Sequence, residues 1–364
     1  MSTATSQSSL QWQILPAAQF PAYAAAWQAC NQATLATPLL APELVQAALD
    51  HLASGKELLA ICRADGAVAA MAVLTPTRHG VWASFQPSQA PLGFWMHRAD
   101  LPLDRLCARL QESLPGLPLV LSLTQRDPML ESPPPPTAGL AVDDYIQTSG
   151  ISLAGSFEEY WQARGKNLRS NLKKQRSRLQ REGLDTRLEE SRREADMAAA
   201  VADFGRLEMA GWKGERGTAV CAGTPQGSFY RAMLEGFARR DRARVFRYWF
   251  GTQLVAMDLC IESDDMLVVL KTAYDETVPA ALSPSLLMRE DCMRLLFEEQ
   301  RLPRLEFYGR LMEWHTRWTN EIRTMYHVSF YRWPGLQRLH ALAKQRHLLL
   351  ERLRGRPATT PVME

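Results

Sequence analysis

A single carboxylate interrupts an apolar run in the second half of the chain. Asp258 lies within Leu254–Glu262, and the alternation of a β-strand puts its side chain on the same face as Ala256 and Cys260. Burying a carboxylate on such a face costs free energy unless the group is paired or used. Two interpretations are open: Asp258 is a general base or substrate anchor beside a cleft, or it forms a structural ion pair with an arginine.

A helix start that could bind phosphate follows the next apolar run. Met266–Leu270 is almost continuously apolar, as expected for a strand that is buried on both faces. Ser283 and Pro284 are residue types preferred at the N-cap and in the first turn of a helix. A helix start behind a central strand presents backbone N–H groups and a positive dipole end to phosphate. The alternative is an ordinary capped helix.

Cations are dense between Lys166 and Arg181, where Leu168, Leu172 and Leu179 recur at helical spacing. This pattern predicts a helix with one buried stripe and with cations on its remaining surface. The cations form either a solvated face or an electropositive wall for an anionic substrate, a cofactor phosphate or a nucleotide-linked sugar. No aromatic residue interleaves with them, which argues against nucleic-acid binding.

Two aromatic segments could line a pocket. Trp212 and Lys213 lie in a glycine-rich turn, which is either surface structure or a substrate lid. Trp314 and Trp318 lie four residues apart around His315, and they are either pocket residues or the core of a short helix.

The composition of the 364-residue chain is that of a globular protein, with 46% hydrophobic and 22% charged residues and a net charge of +3. These values exclude a disordered chain, and the length suits two domains. The six cysteines form no C-x-x-C pair and the seven histidines show no paired ligand spacing, so no metal site is expected. The N-terminus lacks a secretory signal and no window is apolar enough to span a bilayer, which predicts a cytoplasmic protein.

Secondary-structure signals place these residues on a repeated set of elements. Helices are predicted in Pro16–Ala53 (two), Leu101–Leu114, Phe157–Arg181, Arg193–Met209, Phe229–Ala238, Ser283–Gln300 and Leu336–Leu353. Strands are predicted at Glu57–Arg63, Ala67–Thr75, Gly80–Phe85, Leu117–Thr124, Tyr145–Leu153, Leu184–Glu189, Arg244–Phe250, Leu254–Glu262, Met266–Thr272, Arg304–Tyr308 and Thr324–Arg332.

Each half shows helices, then an antiparallel meander, then a helix and a strand, which predicts two copies of one α/β fold. The four-proline run Pro133–Pro136 can continue neither a helix nor a central strand, so we place the domain boundary just after it. The predicted units are residues 1–142, residues 143–335, and a basic amphipathic helix with a tail at 336–364.

Taken in order, several segments resemble the CelD/BcsL-like branch of the GNAT acyltransferases, relatives of the FemAB peptidyltransferases. The resemblance covers about residues 145–330 and rests on the basic helix Lys166–Arg181, Gly211-Trp212-Lys213-Gly214 with Gly217-Thr218, Tyr274-Asp275 before Ser283-Pro284, and Glu306-Phe307 leading to Trp318. It implies two tandem GNAT-like domains, each a twisted mixed sheet flanked by helices, of which the first is degenerate. The glycine-rich pyrophosphate loop that is widespread in GNAT proteins is absent, since Asp275–Ser285 contains no glycine.

The resemblance further implies an enzyme that uses acetyl-CoA or another acyl-CoA to acylate an amino sugar or related amine in exopolysaccharide or cell-envelope polysaccharide biosynthesis. Asp258 or Asp275 would take a proton from the amine, and Tyr274 or Tyr308 would protonate the leaving thiolate. The expected donor contacts are Lys271, Thr272, Ser283, Ser285 and Leu286. The expected substrate contacts are Arg169, Lys173, Trp212, Lys213, His315 and Trp318.

Two other functions remain open from the sequence. A Fem-like transferase would take its donor from aminoacyl-tRNA and use the basic helix to hold RNA, but the small net charge argues against this. A non-catalytic GNAT-fold scaffold in a polysaccharide assembly complex would fit the missing glycine loop. The expected partners are a small-molecule or sugar-linked amine and, peripherally, membrane-bound polysaccharide machinery.

Overall fold

The computed structural model describes residues 9–135, 137–209, 220–221, 223–279 and 281–353. The strands are β1 (Leu10–Pro16), β2 (Leu58–Ala64), β3 (Ala67–Arg78), β4 (Val81–Ser84), β5 (Trp95–His97), β6 (Val120–Arg126), β7 (Leu140–Ser152), β8 (Thr186–Ser191), β9 (Ala243–Phe250), β10 (Gln253–Glu262), β11 (Met266–Tyr274), β12 (Arg304–Glu306) and β13 (Ile322–Tyr331). The helices are α1 (Phe20–Ala33), α2 (Pro42–Leu52), α3 (Leu103–Ser113), α4 (Phe157–Gln162), α5 (Lys166–Arg181), α6 (Glu194–Met209), α7 (Pro225–Ala238), α8 (Pro284–Glu299), α9 (Glu313–Thr316) and α10 (Pro334–Leu353).

The strands form one mixed sheet in the order β1-β2-β3-β4-β6-β13-β7-β12-β11-β10-β9-β8, and β5 pairs with β3 beside this path. Element order repeats: β1-α1-α2-β2-β3-β4-α3-β6 in the first half corresponds to β8-α6-α7-β9-β10-β11-α8-β12 in the second. Each copy ends in a parallel strand pair, β4 with β6 and β11 with β12. The predicted α/β fold with two mixed-sheet units flanked by helices is confirmed.

The two strands at the centre of the sheet are exchanged between the copies. Strand β7 follows the first copy but pairs with β12 of the second, where Leu305 lies opposite Ile151. Strand β13 follows the second copy but pairs with β6 of the first, where Val328 lies opposite Leu123. The predicted boundary at residue 142 therefore falls inside β7, and the division of the chain into domains stays a prediction.

Local sequence signals account for most element boundaries. Asp65 and Gly66 both have positive φ, 52° and 85°, which is the geometry of the two-residue hairpin that the Asp-Gly pair predicts. The long helix predicted from Phe157 to Arg181 is two helices, α4 and α5, separated by residues 163–165. Strands β1 and β5 were not predicted, although the burial of β1 alternates with a period of two.

One hydrophobic core spans both halves on one face of the sheet. Trp27 and Leu44 from the first half belong to the same buried cluster as Phe229 and Met233 from the second. The opposite face carries a separate core for each half, built around α3 in the first and around α5 and α8 in the second. The shared core makes the relative placement of the two copies part of the folded structure.

Among the described helices, none combines the length and the apolar content needed to cross a bilayer.

Candidate active site

A cavity opens where the parallel strands β11 and β12 diverge. The two strands pair only from Met266 to Val268, and Tyr308 turns the chain away from β11 with a φ of 44°. Beyond the pairing, the space between them is a cavity of about 860 Å³. It is lined by Val269, Leu270, Lys271, Thr272, Tyr274, Asp275, Glu276, Val278, Leu282, Ser283, Pro284, Ser285, Leu286, Arg289, Phe307, Gly309, Met312, Trp314, His315 and Trp318. A flexible or extended ligand of considerable size fits such a space.

The corresponding gap in the first half is filled by the chain itself. Strands β4 and β6 pair in parallel from Val81 to Ala83 and then separate. The Gly93 N–H donates to the Thr124 carbonyl at 3.1 Å inside this gap, and the hydroxyls of Ser84 and Thr124 bond to each other at 2.9 Å. The gap between the diverging parallel strands is therefore occupied by the chain in the first copy and open in the second.

Gly93 allows this closure because it has no side chain. A Cβ at this position would lie 2.2 Å from the Ser84 hydroxyl and 2.6 Å from the Thr124 carbonyl. We expect Gly93→Ala to lower the free energy of unfolding by about 1–3 kcal/mol, as overpacking does. Gly165→Ala is the control, because a Cβ there meets nothing within 4 Å. Equal denaturation midpoints for the two variants would contradict the close packing at Gly93.

Asp258 lies beneath the cavity in an ion pair. Its carboxylate is fully buried, 2.7 Å from a guanidinium nitrogen of Arg289, and accepts a hydrogen bond from the Thr272 hydroxyl at 2.5 Å. Burial raises the pKa of the Asp258 carboxyl, and Arg289 and Thr272 oppose that rise. The ion-pair alternative is thus the arrangement observed. Asp258 is absent from the cavity lining, whereas Arg289 and Thr272 are part of it.

Two buried hydrogen-bond donors on the cavity wall have no acceptor among the residues that the structure describes. They are Nη1 of Arg289 and the indole Nε1 of Trp318, and both residues are at most 2% exposed. A buried donor without an acceptor costs about 1–3 kcal/mol, so its persistence in a cavity wall favours a ligand with acceptor oxygens. The wall at this end is suited to a carbonyl, carboxylate or phosphate.

His315 adds a third donor. Its Nδ1 lies 2.9 Å from the Met312 nitrogen and 3.3 Å from the Met312 carbonyl oxygen, and in the shorter contact the Met312 N–H donates to Nδ1, which leaves the ring proton on Nε2. Burial lowers the pKa of His315 to about 4, and the nearby Arg289 acts in the same direction, so the ring is neutral at pH 7. The ring stacks on Trp314 at 3.6 Å between centroids. His315 is therefore a fixed, neutral hydrogen-bond donor in the cavity wall.

The start of α8 offers less to a phosphate than the sequence predicted. The Ser283 N–H donates to the Gln175 side chain at 2.7 Å, and the N–H groups of Leu286 and Leu287 both bond to the Ser283 carbonyl. Pro284 has no N–H, so Ser285 supplies the backbone donor that has no partner in the described structure. A phosphate at the start of α8 would meet one backbone N–H and the side chains of Ser283 and Ser285 rather than a glycine-rich cradle.

Lys271 connects the cavity to a buried carboxylate that the sequence analysis missed. Its ammonium lies 3.4 Å from Oε1 of Glu208, whose other oxygen accepts the Val220 N–H at 2.9 Å. Glu208 is 4% exposed and lies four residues after Phe204 on the apolar stripe of α6. A glutamate in the apolar stripe of α6 was the sequence signal that could have identified Glu208 as a site residue. Arg289 is likewise a charged residue among the buried positions of α8.

The two predicted tyrosines and Asp275 differ in their placement. Tyr274 lines the cavity and is 46% exposed. Asp275 also lines it, but its carboxylate accepts hydrogen bonds from Thr277 and Gln253, which together outweigh burial and hold its pKa below the ordinary value. Tyr308 is 5% exposed, with Arg323 over its ring, and its positive φ turns it away from the cavity into the seam between the halves.

The predicted substrate contacts fall in three places. His315 and Trp318 line the cavity. Arg169 and Lys173 lie in a separate groove along α5, which adjoins the cavity because Trp161 of the groove stacks on Trp318. Trp212 and Lys213 lie outside the described residues.

Comparisons with known proteins agree with this fold. Residues 166–332, which contain the whole cavity lining, match the family model described as an acetyltransferase (GNAT) domain. A similar solved structure is the C-terminal domain (DUF2156) of a candidate lysylphosphatidylglycerol synthetase from Agrobacterium fabrum, with 13% identity, 84% of this chain and 90% of that chain covered, and a TM-score of 0.53. A conserved protein of unknown function from Bacteroides thetaiotaomicron is 8% identical over 89% of this chain and 100% of its own, with a TM-score of 0.52.

FemX is 10% identical over 78% of this chain and 89% of its own, with a TM-score of 0.48. A comparison with curated proteins found no match. At these identities the structural neighbours show the fold alone, and the family match is confined to the half of the chain that contains the cavity.

Proposed function

We propose that this chain, whose residues 166–332 match the model of an acetyltransferase (GNAT) domain, is an N-acyltransferase that uses acyl-CoA, with acetyl-CoA as the simplest donor. The observation that carries the proposal is the open cavity between β11 and β12, whose counterpart in the first half is closed by Gly93. The open site thus lies in the half that matches the acyltransferase family.

The donor would lie along β11 with its phosphates toward α8. Beyond Val268 no described strand pairs with the β12-facing edge of β11, so its backbone groups are available to an extended amide chain. The Ser285 N–H and hydroxyl lie where the positive end of the α8 dipole favours phosphate. Thr272, Ser283 and Leu286 complete this side of the cavity.

The reaction requires little covalent chemistry from the protein. An amine attacks the thioester carbonyl, and negative charge develops on the carbonyl oxygen in the transition state. The His315 Nε2–H and the unpaired Arg289 Nη1–H are donors that stabilise such an oxygen. Asp258 is then a positioning residue that fixes Arg289 and Thr272. The C–S bond breaks after the C–N bond forms, and the exposed Tyr274 residue relays the proton: its hydroxyl gives a proton to the leaving thiolate and takes up the proton that the attacking nitrogen loses.

We infer that the acceptor is an amino sugar or related amine of exopolysaccharide or cell-envelope polysaccharide biosynthesis, presented in the cytoplasm. The groove beside the cavity supports an acceptor that carries phosphate, as a nucleotide-linked sugar does. Lys166, Lys173 and Lys174 of α5 have no ion-pair partner among the described residues, and the first two line the groove with Arg169. Unpaired cations beside a cavity attract anionic ligands.

Calorimetry with acetyl-CoA tests the donor. We expect binding by the wild-type chain and about tenfold weaker binding by Ser285→Glu, because the new carboxylate repels the donor phosphates. Ser88→Glu is the matched control, since this exposed serine lies in the loop that closes the first-half gap. Unchanged affinity in Ser285→Glu refutes this placement of the phosphates.

A second candidate, an aminoacyl-tRNA-dependent transferase, is favoured by the same unpaired lysines of α5. It predicts that acetyl-CoA does not bind, that tRNA shifts the protein on a gel, and that Lys173→Glu/Lys174→Glu removes the shift. Binding of acetyl-CoA with no tRNA shift rejects this candidate.

A further inference from the structure

Helix α10 leaves the body of the protein after its first turns. Gln337 holds it there, because its side chain accepts the Gly139 N–H at 2.9 Å and donates to the Leu140 carbonyl at 3.3 Å. His340 adds a hydrogen bond with the Tyr331 hydroxyl. Residues 338–343, 345 and 346 are exposed, with Leu339 at 64% and Leu342 at 62%. The twenty residues of α10 extend about 30 Å at the helical rise.

The exposed residues give α10 an amphipathic character. Leu339 and Leu342 are three residues apart and share one side of the helix. Trp333, immediately before the helix, is 51% exposed. Arg338 and Arg346 are exposed and have no acidic partner among the described residues, and Arg346 is seven positions after Leu339, on the same side. A long arginine in an apolar face can place its stem along the apolar surface and its charge in the polar layer.

The charge of this segment decides between two partners for the apolar face. Residues 332–356 contain seven Lys or Arg residues and one acidic residue, Glu351. Pairing with α10 of a second copy would bring two such segments together, and their like charges would repel. A surface of anionic lipid headgroups attracts the same cations and accepts the leucines and the tryptophan in its interfacial layer.

We propose that α10, with Trp333 before it, docks on the surface of an anionic phospholipid bilayer. The helix lies in the plane of the interface, with Leu339 and Leu342 toward the acyl chains and Arg338 toward the headgroups. The side chain of Arg346 extends from the apolar face of the helix to the lipid phosphates. The anchor places the enzyme beside the membrane surface.

Co-sedimentation of the full chain with phospholipid vesicles tests the proposal. We expect binding to vesicles of phosphatidylcholine with 30% phosphatidylglycerol to be about tenfold or more tighter than to pure phosphatidylcholine, and to weaken as salt is raised. Leu339→Gln/Leu342→Gln removes the apolar contact without changing charge and should weaken binding about tenfold or more. Arg338→Gln/Arg346→Gln should also weaken it, and only toward the anionic vesicles.

Leu184→Gln is the matched control, since Leu184 is 38% exposed just before β8, the strand at one end of the sheet, and should leave binding unchanged. Circular dichroism checks that each variant is folded. The proposal is overturned if the wild-type chain does not sediment with anionic vesicles, or if binding survives both α10 variants and is lost in Lys173→Glu/Lys174→Glu. It is also overturned if light scattering shows a dimer that Leu339→Gln/Leu342→Gln dissociates without any effect on vesicle binding.

Discussion

Replacing Asp258 with alanine is expected to lower the free energy of unfolding by about 3–5 kcal/mol. The substitution leaves the guanidinium of Arg289, 2% exposed, without its counter-charge in the interior. The partner Thr272 also loses the acceptor of its hydroxyl. Urea denaturation of the purified variant measures the effect.

A double-mutant cycle separates the pair from the packing around it. Arg289→Met on the Asp258→Ala background removes the unpaired charge, so we expect it to recover much of the lost stability. Asp265→Ala is the control, because Asp265 is exposed in the turn between β10 and β11 and should change stability by less than about 0.5 kcal/mol.

Asp258→Asn keeps the shape of the side chain and removes its charge. If Asp258 is a positioning residue, this variant should lose more stability than turnover per folded molecule. If Asp258 were a general base, turnover would fall about 10²–10⁴-fold.

Replacing His315 with phenylalanine is expected to lower kcat about 10²–10³-fold with little change in KM for the donor. Phenylalanine preserves the stack on Trp314 and the contact with Phe307 but removes the Nε2–H that meets the carbonyl oxygen in the transition state. Steady-state kinetics with an accepted amine measures it. An equal rise in KM with unchanged kcat would show that His315 only binds substrate.

The pH dependence of stability gives the same variant a second measurement. The pKa of His315 is about 4 in the folded chain and about 6.5 when unfolded, so between these values the unfolded chain binds the extra proton. His315 therefore makes stability fall as pH decreases through this window. Between pH 7 and pH 5 we expect His315→Phe to lose about 2 kcal/mol less than the wild type. His79→Phe, at an exposed position, should follow the wild type.

The sequence predicted most strands and helices because their apolar periodicity is strong. The Met266–Tyr274 strand is nearly continuous in apolar residues, and the Ser283-Pro284 pair marks the start of α8 correctly. Strand β1 escaped prediction although Leu10, Trp12 and Ile14 alternate with polar residues, because its seven residues precede a helix-rich region. Short segments near stronger signals are the ones that periodicity misses.

The candidate site was predicted in part, and the misses have geometric causes. Four of the predicted residues line the cavity because they lie near the end of a strand or in the first turn of a helix: Lys271, Thr272, Ser285 and His315. Tyr308 does not, because its left-handed backbone conformation reverses the direction that a continuing strand would give. The Asp258–Arg289 pair and the Glu208–Lys271 contact join residues 31 and 63 positions apart (289 − 258 and 271 − 208), a proximity that local sequence patterns do not contain.

The exchange of the central strands affects the order in which the chain can fold during synthesis. Strand β6 pairs with β4 but gains its second neighbour only when β13 has been made, as the bond from the Gln125 N–H to His327, 202 positions later, illustrates. At about 5–20 residues per second, the ribosome takes roughly 10–40 s to cover that distance. During this interval the nascent first half presents an open β6 edge to other chains, so the protein depends on rapid completion or on chaperone protection of that edge.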